Sequence, residues 1–320
     1  MKRWTINLVC CPVCRGKLDL QEGQAQDSEI IGGSLICRAC RKTFIIERGL
    51  PRMVIDTVRK KDLARNWGYQ WAKVSEGQLE TETYYGATED EAVRFFFKVM
   101  AISEADLPGK KVLDAGCGPA QHIRALGKYG AQFIGIDIAT SIDRIHDYCR
   151  TEPGVDIIQA DLENPPFPDG SFDYVISKNS LCYVSQPEVS FKFLAGLVKP
   201  GGRLAVCLPD NANPAFITRL KDFLRFTDHV PLWLLFYVCM TLAPFAWAGT
   251  RLGGKRRTSL RTNFFLLFNG LHTRFSRHTA GEVVAWFNRT GFTQIKDLTK
   301  THSVVVRGTK AVPDSLPGSQ

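Results

Sequence analysis

The stretch Lys111-Val-Leu-Asp-Ala-Gly-Cys-Gly-Pro-Ala120 decides the fold of this chain. Its first five residues predict a buried strand, and Gly116 and Gly118 let the backbone turn tightly and approach a ligand. Asp137 ends the next predicted strand about 20 positions on, where a carboxylate can accept hydrogen bonds from ribose hydroxyls. A dinucleotide fingerprint needs a third glycine where this chain has Gln121, so the turn favours a nucleoside over NAD.

Short β-branched runs continue after this turn and alternate with helical stretches. The runs are 132–137, 155–159, 172–177 and 202–208. This alternation predicts a parallel, doubly wound α/β sheet. Two further runs, 292–298 and 302–307, are typical of an antiparallel pair, and they follow a helix that begins with the capping box Thr279-Ala-Gly-Glu282.

Five motifs occur in order within residues 109–208. They are Val112-Leu-Asp-Ala-Gly-Cys-Gly118, Gly135-Ile-Asp137, Gln159-Ala-Asp-Leu162, Pro166-Phe-Pro-Asp-Gly-Ser-Phe-Asp173 and Leu197-Val-Lys-Pro-Gly-Gly202. With them the region resembles a class I S-adenosylmethionine-dependent methyltransferase, nearest to the ubiquinone/menaquinone and sterol types. The resemblance implies a Rossmann-like seven-stranded sheet and S-adenosyl-L-methionine as cofactor.

The same resemblance assigns roles to individual residues. Gly116 and Gly118 would face the methionine part of the cofactor, and Asp114 would approach its amino group. Asp137 would hold the ribose. Asp161 would accept a hydrogen bond from the adenine amino group, with Leu162 on the ring. Cys117, Ile138 and Ser177 complete the predicted cofactor-binding set.

Asn164-Pro-Pro-Phe167 spells the signature of enzymes that methylate amino groups in DNA and protein. In those families the signature ends the fourth strand of the sheet. Here it precedes that strand, and Ser177-Lys-Asn-Ser180 stands at the strand's end. We therefore expect residues 164–167 to form a loop.

Two cysteine pairs lie near the start of the chain, at Cys11-x2-Cys14 and Cys37-x2-Cys40. Four thiolates at this spacing can surround one Zn²⁺ and leave no position open for water, which predicts a structural zinc. Cys10 is expected to be a packing residue. The module resembles the zinc ribbon of the short protein that activates eukaryotic tRNA and rRNA methyltransferases.

Charge is unevenly distributed over the 320 residues. Residues 1–61 carry 12 basic and 6 acidic residues, 62–210 carry 14 and 21, and 211–320 carry 15 and 5. We predict three parts: a zinc-ribbon module at 1–61, linker and lid helices at 62–108, and a catalytic domain at 109–320. The basic flanks suit nucleic acid, anionic lipid or an acidic substrate, and charge alone does not choose among them.

The sequence names no single catalytic base. His229, His272 and His278 are weak candidates, as are Tyr84 and Tyr85. The aromatic segments Asn66-Trp-Gly-Tyr-Gln-Trp71 and Thr83-Tyr-Tyr-Gly86 suit either a lid over an apolar acceptor or packing of the linker against the sheet.

A long insertion at 211–277 separates the fifth strand from the last pair. Residues 231–250 form a run without charge, divided by Pro244, and a basic cluster follows at Arg251, Lys255, Arg256, Arg257 and Arg261. The pattern is consistent with shallow insertion of residues 231–268 into an anionic membrane, and equally with an internal cap. A membrane-spanning helix is not expected here.

Three functions remain open at this point. The first is methyl transfer to oxygen or carbon of a hydrophobic small molecule such as a lipid, quinone or secondary metabolite. The second is an RNA methyltransferase with a zinc knuckle, and the third is an adaptor without activity. The start of the chain reads as polar and cysteine-rich, so we expect no signal peptide and a cytoplasmic location, with peripheral contact at the inner face of a membrane as an option.

Overall fold

A computed structural model describes residues 1–27, 29–55, 58–76, 88–209, 230–252, 260, 264, 267–268, 275–300 and 303–313. The N-terminal part is a small antiparallel sheet of consecutive strands. These are β1 (Leu18–Gln26), β2 (Glu29–Cys37), β3 (Thr43–Glu47) and β4 (Leu50–Pro51). Both cysteine pairs lie in turns at one end of this sheet, beside the start of β1 and the end of β2.

The larger sheet has seven strands among the described residues, in the order β10-β11-β9-β8-β5-β6-β7. They are β5 (Lys111–Ala115), β6 (Gln132–Asp137), β7 (Val155–Gln159), β8 (Phe172–Lys178), β9 (Val198–Pro209), β10 (Phe292–Asp297) and β11 (Ser303–Lys310). The five strands β5 to β9 run parallel, and β11 is antiparallel to both β9 and β10. The predicted α/β fold, including the closing antiparallel pair, is confirmed.

Helices cover both faces of this sheet. They are α1 (Val58–Ser75), α2 (Glu89–Met100), α3 (Gln121–Leu126), α4 (Ile142–Cys149), α5 (Pro187–Leu197), α6 (Leu232–Leu252) and α7 (Ala280–Arg289). The predicted capping box opens α7, where Thr279 accepts from the Glu282 N–H and Glu282 accepts from the Thr279 N–H. Residues 164–167 lie outside every strand, as the position of that motif predicted.

Alternate residues of each central strand pack on opposite faces of the sheet, as the two-residue period of a strand requires. Leu113 and Ile134 belong to one apolar cluster, and Val112 and Phe133 belong to the other. The first cluster continues without a break into the N-terminal sheet, through Leu35, Phe44 and Met53. The zinc-ribbon module therefore shares its core with the domain behind it.

The N-terminal module docks at strand β7, the edge of the larger sheet. Met53 N donates to Gln159 O (2.8 Å), and Arg52 forms a parallel bridge with Gln159. Asp156 of β7 is buried, and its carboxylate accepts from Lys2 N (2.8 Å) and from the Thr5 hydroxyl. These contacts cover backbone groups that an edge strand would leave exposed.

Charged side chains add to this contact. Arginines of the module meet acids of the central domain in three pairs: Arg15 with Asp169 (3.0 Å), Arg48 with Asp147 (2.8 Å) and Arg52 with Asp143 (2.6 Å). Part of the positive charge of the N-terminal module is therefore neutralised by acids of the central domain.

The uncharged run of the insertion forms helix α6, which continues through Pro244 instead of ending there. A proline inside a helix removes one backbone hydrogen bond. One face of α6 nevertheless packs on the protein in the turns before this residue, through Leu235, Phe236, Cys239 and Ala243. Across the described residues, no helix combines the length and apolarity that crossing a membrane requires.

We predict that Gly202→Ala destabilises the fold by about 2 kcal/mol or more. A Cβ at this position of β9 would lie 2.7 Å from Asp173 O and 2.9 Å from Lys199 O, and backbone atoms cannot turn away as a side chain can. Urea unfolding followed by circular dichroism measures the change. The control is Gly281→Ala in α7, where a Cβ meets nothing within 4 Å and helix propensity favours alanine. Equal midpoints for the two variants would contradict the prediction.

Candidate functional site

A pocket opens at the carboxyl ends of β5, β6, β7 and β8. Strand order changes direction between β5 and β8, and in parallel sheets ligands bind at such a switch point. The empty space is about 940 Å³, including the part open to solvent. Its lining comprises Leu63, Trp67, Trp71, Ala92, Asp114, Gly116, Cys117, Gly118, Pro119, Asp137, Ile138, Ala160, Asp161, Leu162, Lys178, Asn179, Ser180, Tyr183 and Val184.

The glycine turn after β5 forms the floor of the pocket. Gly116 has φ of +85°, and a Cβ there would lie 2.2 Å from Ser180 Oγ, so a larger residue would fill the cradle. Gly118 has φ of +50° and faces Trp71, whose ring would lie 3.1 Å from an added Cβ. Both conditions require glycine at these two positions.

Three carboxylates end neighbouring strands around this turn. Asp114 and Asp161 are buried. Asp137 accepts from Gly118 N and Ala139 N, both at 2.9 Å, and burial raises the pKa of its carboxyl group. A carboxylate offers about four acceptor positions, so these two bonds leave Asp137 capacity for ligand hydroxyls. All three predicted acids therefore lie in one pocket.

Asp161 has a partner that the sequence did not suggest. The ammonium group of Lys60, from helix α1, forms an ion pair with Asp161 Oδ2 and lies 3.5 Å from Glu163 Oε2. Both side chains of the first pair are largely withdrawn from water, with 13% and 7% of their surface exposed. Lys60 stands in an ordinary basic run, 101 positions before Asp161, and no local motif marks it.

Helix α1 lies across the pocket. Leu63, Trp67 and Trp71 line the space, and the two tryptophan rings stack with centroids 5.2 Å apart. Trp67 also meets Tyr183 edge to face at 4.7 Å. The aromatic segment at 66–71 therefore lies over the candidate cofactor site, one of the two positions that the sequence left open.

The end of β8 supplies the other wall. Lys178, Asn179 and Ser180 line the pocket, and the Lys178 ammonium lies 5.0 Å from the centre of the Phe95 ring. Ser177, predicted as a cofactor-binding residue, does not line the pocket. Its hydroxyl is buried and donates to Ala115 O (3.0 Å), so its contact is with the neighbouring strand.

Of the predicted catalytic candidates, the structure describes His278, which does not line the pocket. His278 lies just before α7, 2.9 Å from Ser276 Oγ and edge to face with Trp286, and burial lowers its pKa. His229, His272, Tyr84 and Tyr85 lie outside the described residues. The candidate site is thus defined by its cofactor-side residues and by α1.

The four predicted metal ligands come together. The sulfur atoms of Cys11, Cys14, Cys37 and Cys40 all lie within 4.8 Å of one another. The Cys40 N–H approaches Cys37 Sγ at 3.5 Å and, as the largest cause, lowers the pKa of that thiol, which favours the thiolate that a metal needs. Cys10 remains outside the set, buried as a packing residue. A closed set of four cysteines fits a structural zinc.

Comparison with protein families supports the predicted resemblance of both the N-terminal cysteine module and the domain with the larger sheet. Residues 113–206 match the model of a methyltransferase domain, and residues 2–49 match that of a Trm112p-like protein. The chain carries a methyltransferase domain behind a Trm112p-like module. The pocket lies at the end of the strands that the first match covers.

Curated relatives match part of this chain. Cycloartenol-C-24-methyltransferase 1 of Oryza sativa subsp. japonica is 27% identical over 46% of this chain and 45% of its own length. A ubiquinone biosynthesis O-methyltransferase of Xanthomonas euvesicatoria pv. vesicatoria is 31% identical over 35% of this chain and 48% of its own. The chain therefore spans about half the length of the curated relatives it matches.

Solved structures share the fold at low identity. Phospholethanolamine N-methyltransferase 2 of Haemonchus contortus, solved with phosphomonomethylethanolamine and S-adenosylhomocysteine, aligns with TM-score 0.52 and 12% identity over 84% of this chain and 63% of its own. The [4+2]-cyclase SpnF aligns with TM-score 0.50 and 15% identity, over 82% of this chain and 99% of its own. The second example shows that this fold also serves a reaction other than methyl transfer.

We predict that the purified chain holds one zinc ion, and that Cys37→Ser loses it. Because the module shares its core with the larger sheet, the loss should lower the melting temperature by roughly 5 °C or more. Elemental analysis and thermal unfolding measure both effects. Cys10→Ser, outside the cysteine set, should retain the metal. Full zinc content in Cys37→Ser would refute the assignment.

Proposed function

We propose that this chain is an S-adenosyl-L-methionine-dependent methyltransferase that methylates oxygen or carbon of a hydrophobic small molecule. The observation that carries the proposal is one pocket in which three carboxylates and a glycine cradle meet a wall of aromatic and aliphatic side chains. The cofactor, when bound, supplies a methyl group already activated by its sulfonium.

The residues around the cradle have the chemistry to hold that cofactor. Gly116 and Gly118 leave room for its methionine part, and Asp114 offers an acceptor for the amino group. Asp137 faces the pocket with free acceptor capacity for ribose hydroxyls. Asp161 and Leu162 offer an acceptor and an apolar contact for adenine.

The opposite side of the pocket suits an apolar acceptor. Trp67, Tyr183 and Val184 line it, with Lys178 and Asn179 as its polar groups at the end of β8. Methyl transfer from a sulfonium is an in-line displacement, so the chain's main tasks are to align the acceptor atom and to exclude water. A lid of two stacked tryptophans suits both tasks.

The contacts of the zinc-ribbon module weaken the case for RNA. Arg15, Arg48 and Arg52 pair with acids of the central domain, which compensates part of the positive charge of the module. RNA methylation therefore remains the alternative, and the adaptor hypothesis conflicts with a pocket that keeps every predicted acid.

We also propose peripheral contact with an anionic membrane through α6. One face of this helix packs on the protein, while seven large apolar side chains are between 40 and 76% exposed: Trp233, Leu234, Tyr237, Val238, Met240, Leu242 and Phe245. An apolar surface of this extent calls for a partner, and the sequence places five basic residues within 251–261.

The activity is tested with labelled S-adenosyl-L-methionine and three extracts of the source cell: lipid, water-soluble metabolites and RNA. We expect label in the lipid or apolar metabolite pool. Gly116→Ala should reduce transfer at least about 100-fold, because its Cβ would collide with Ser180 and fill the cradle.

Gly281→Ala, in the exposed start of α7, is the matched control and should keep full activity. Label in RNA would favour the alternative. No transfer to any pool, together with no binding of S-adenosylhomocysteine, would refute the enzyme proposal.

The membrane proposal is tested by flotation with vesicles of phosphatidylcholine, with and without phosphatidylglycerol. We expect co-flotation with the anionic vesicles, weakened by salt. The double variant Trp233→Ser, Phe245→Ser should stay in the lower fraction. The control Phe193→Ser removes an exposed apolar side chain from α5 and should float like the wild type. Equal flotation of both variants would contradict the proposal.

A further inference from the structure

The ion pair between Lys60 and Asp161 places a lid residue on a cofactor residue. Asp161 is the acid that the proposed function reserves for the adenine amino group, and Lys60 belongs to α1, whose Leu63, Trp67 and Trp71 cover the same pocket. The inference that follows rests on that proposed function. It concerns how the cofactor reaches its site.

The Lys60 ammonium group and the adenine amino group are both hydrogen-bond donors, and both would bind the carboxylate of Asp161. Asp161 Oδ1 already accepts from Glu163 N (3.0 Å), and the Lys60 ammonium lies against Oδ2 as an ion pair that lacks the geometry of a hydrogen bond. Glu163 adds a second negative charge 3.5 Å from the ammonium. An incoming adenine therefore meets an acceptor whose charge is already compensated.

Gln70 provides a second, independent observation about the position of α1. Its side chain is fully buried, and neither its amide nitrogen nor its amide oxygen has a hydrogen-bond partner among the described residues. It lies one turn after Trp67 and two turns after Leu63, on the helix face that covers the pocket. A buried amide without hydrogen-bond partners is unfavourable in free energy, so the position of α1 over the pocket is less stable than it would be with that amide paired.

We propose that the Lys60–Asp161 ion pair is a latch that holds α1 over the pocket before the cofactor binds, and that the adenine amino group releases it. Opening frees Asp161 for the ligand and gives the Gln70 amide access to hydrogen-bond partners. The ligand class that operates the latch is an adenine nucleoside with a free exocyclic amine.

The test measures binding of S-adenosylhomocysteine by calorimetry and by the fluorescence of the lid tryptophans. Lys60→Met keeps the aliphatic stem and removes the charge. It should tighten binding about 3- to 10-fold, mainly through faster association, because the ligand no longer competes with an ion pair. Arg65→Met is the control: it breaks an exposed pair with Asp62 on the same helix, away from the pocket, and should change nothing.

Two further readouts separate a latch from a merely structural contact. Because the pair is largely withdrawn from water, salt screens it little, so the gain in affinity of Lys60→Met over the wild type should persist at high salt. Gln70→Met should act in the opposite direction: it removes the unpaired amide, raises the melting temperature of the ligand-free protein and slows association.

Weaker binding by Lys60→Met would show that Lys60 holds the cofactor. Unchanged binding would show that the ion pair does not restrain α1. Either result overturns the latch. If the wild type binds no S-adenosylhomocysteine, the proposed function fails. Amide hydrogen exchange over residues 58–75 then tests whether the ion pair holds α1 in place, independently of any ligand. Faster exchange in Lys60→Met than in the wild type supports the latch, and equal exchange overturns it.

Discussion

Three carboxylates end adjacent parallel strands and point into one cleft, and the rest of the site depends on how their charge is compensated. A buried carboxylate needs donors close by, because burial opposes ionisation. Asp137 has two backbone N–H groups supplied by the glycine turn and by the residue after Ile138. Asp161 is compensated from outside the sheet, by Lys60. The first compensation is permanent, since it is built from backbone. The second depends on the position of a helix, and this difference makes the Asp161 end of the cleft the part that can respond to a ligand.

The sequence predicts the site residues that are held by local backbone contacts, and it does not predict those that depend on the position of a distant helix. Asp114, Gly116, Gly118 and Asp137 are predictable because strand, turn and next strand are local, and parallel pairing forces their ends together. The four cysteines are predictable because tetrahedral ligation fixes their spacing. Lys60 and Gln70 are not, since their importance arises only when α1 packs across the cleft. Ser177 shows the converse: its position at a strand end suggests a ligand contact, yet the two-residue period of the strand turns its hydroxyl towards Ala115.

The zinc-ribbon module bears on the same end of the cleft. Its docking contacts converge on β7, where Gln159 accepts from Met53 N and meets the Arg52 side chain (3.1 Å). Asp161 follows two residues later, so the module braces the strand that leads to Asp161. Because the two parts share one apolar cluster, loosening the metal-bound turns should be felt in that strand before it is felt at the glycine turn. A module fused in this way acts as a structural wall of the larger domain, and its arginines contribute to that contact.

Helix α1 connects the cleft to the apolar surface of the insertion. Its inner face carries Trp67 and Trp71 over the pocket, while Tyr69 on its outer side packs against Phe236 and Phe268 at 6.0 Å each. Any movement that lifts α1 away from Asp161 must therefore shift its contact with α6, whose opposite face is the exposed apolar surface.

A partner that binds this apolar surface would change how α6 packs against α1. A ligand that releases Lys60 would change the same contact from the side of the pocket. By reciprocity of linked equilibria, each event must alter the affinity of the other whenever both move α1. An acceptor drawn from a lipid phase and a cofactor drawn from water would then reach the site through one helix, which offers a physical reason for an apolar insertion and an ion-paired lid to occur in the same chain.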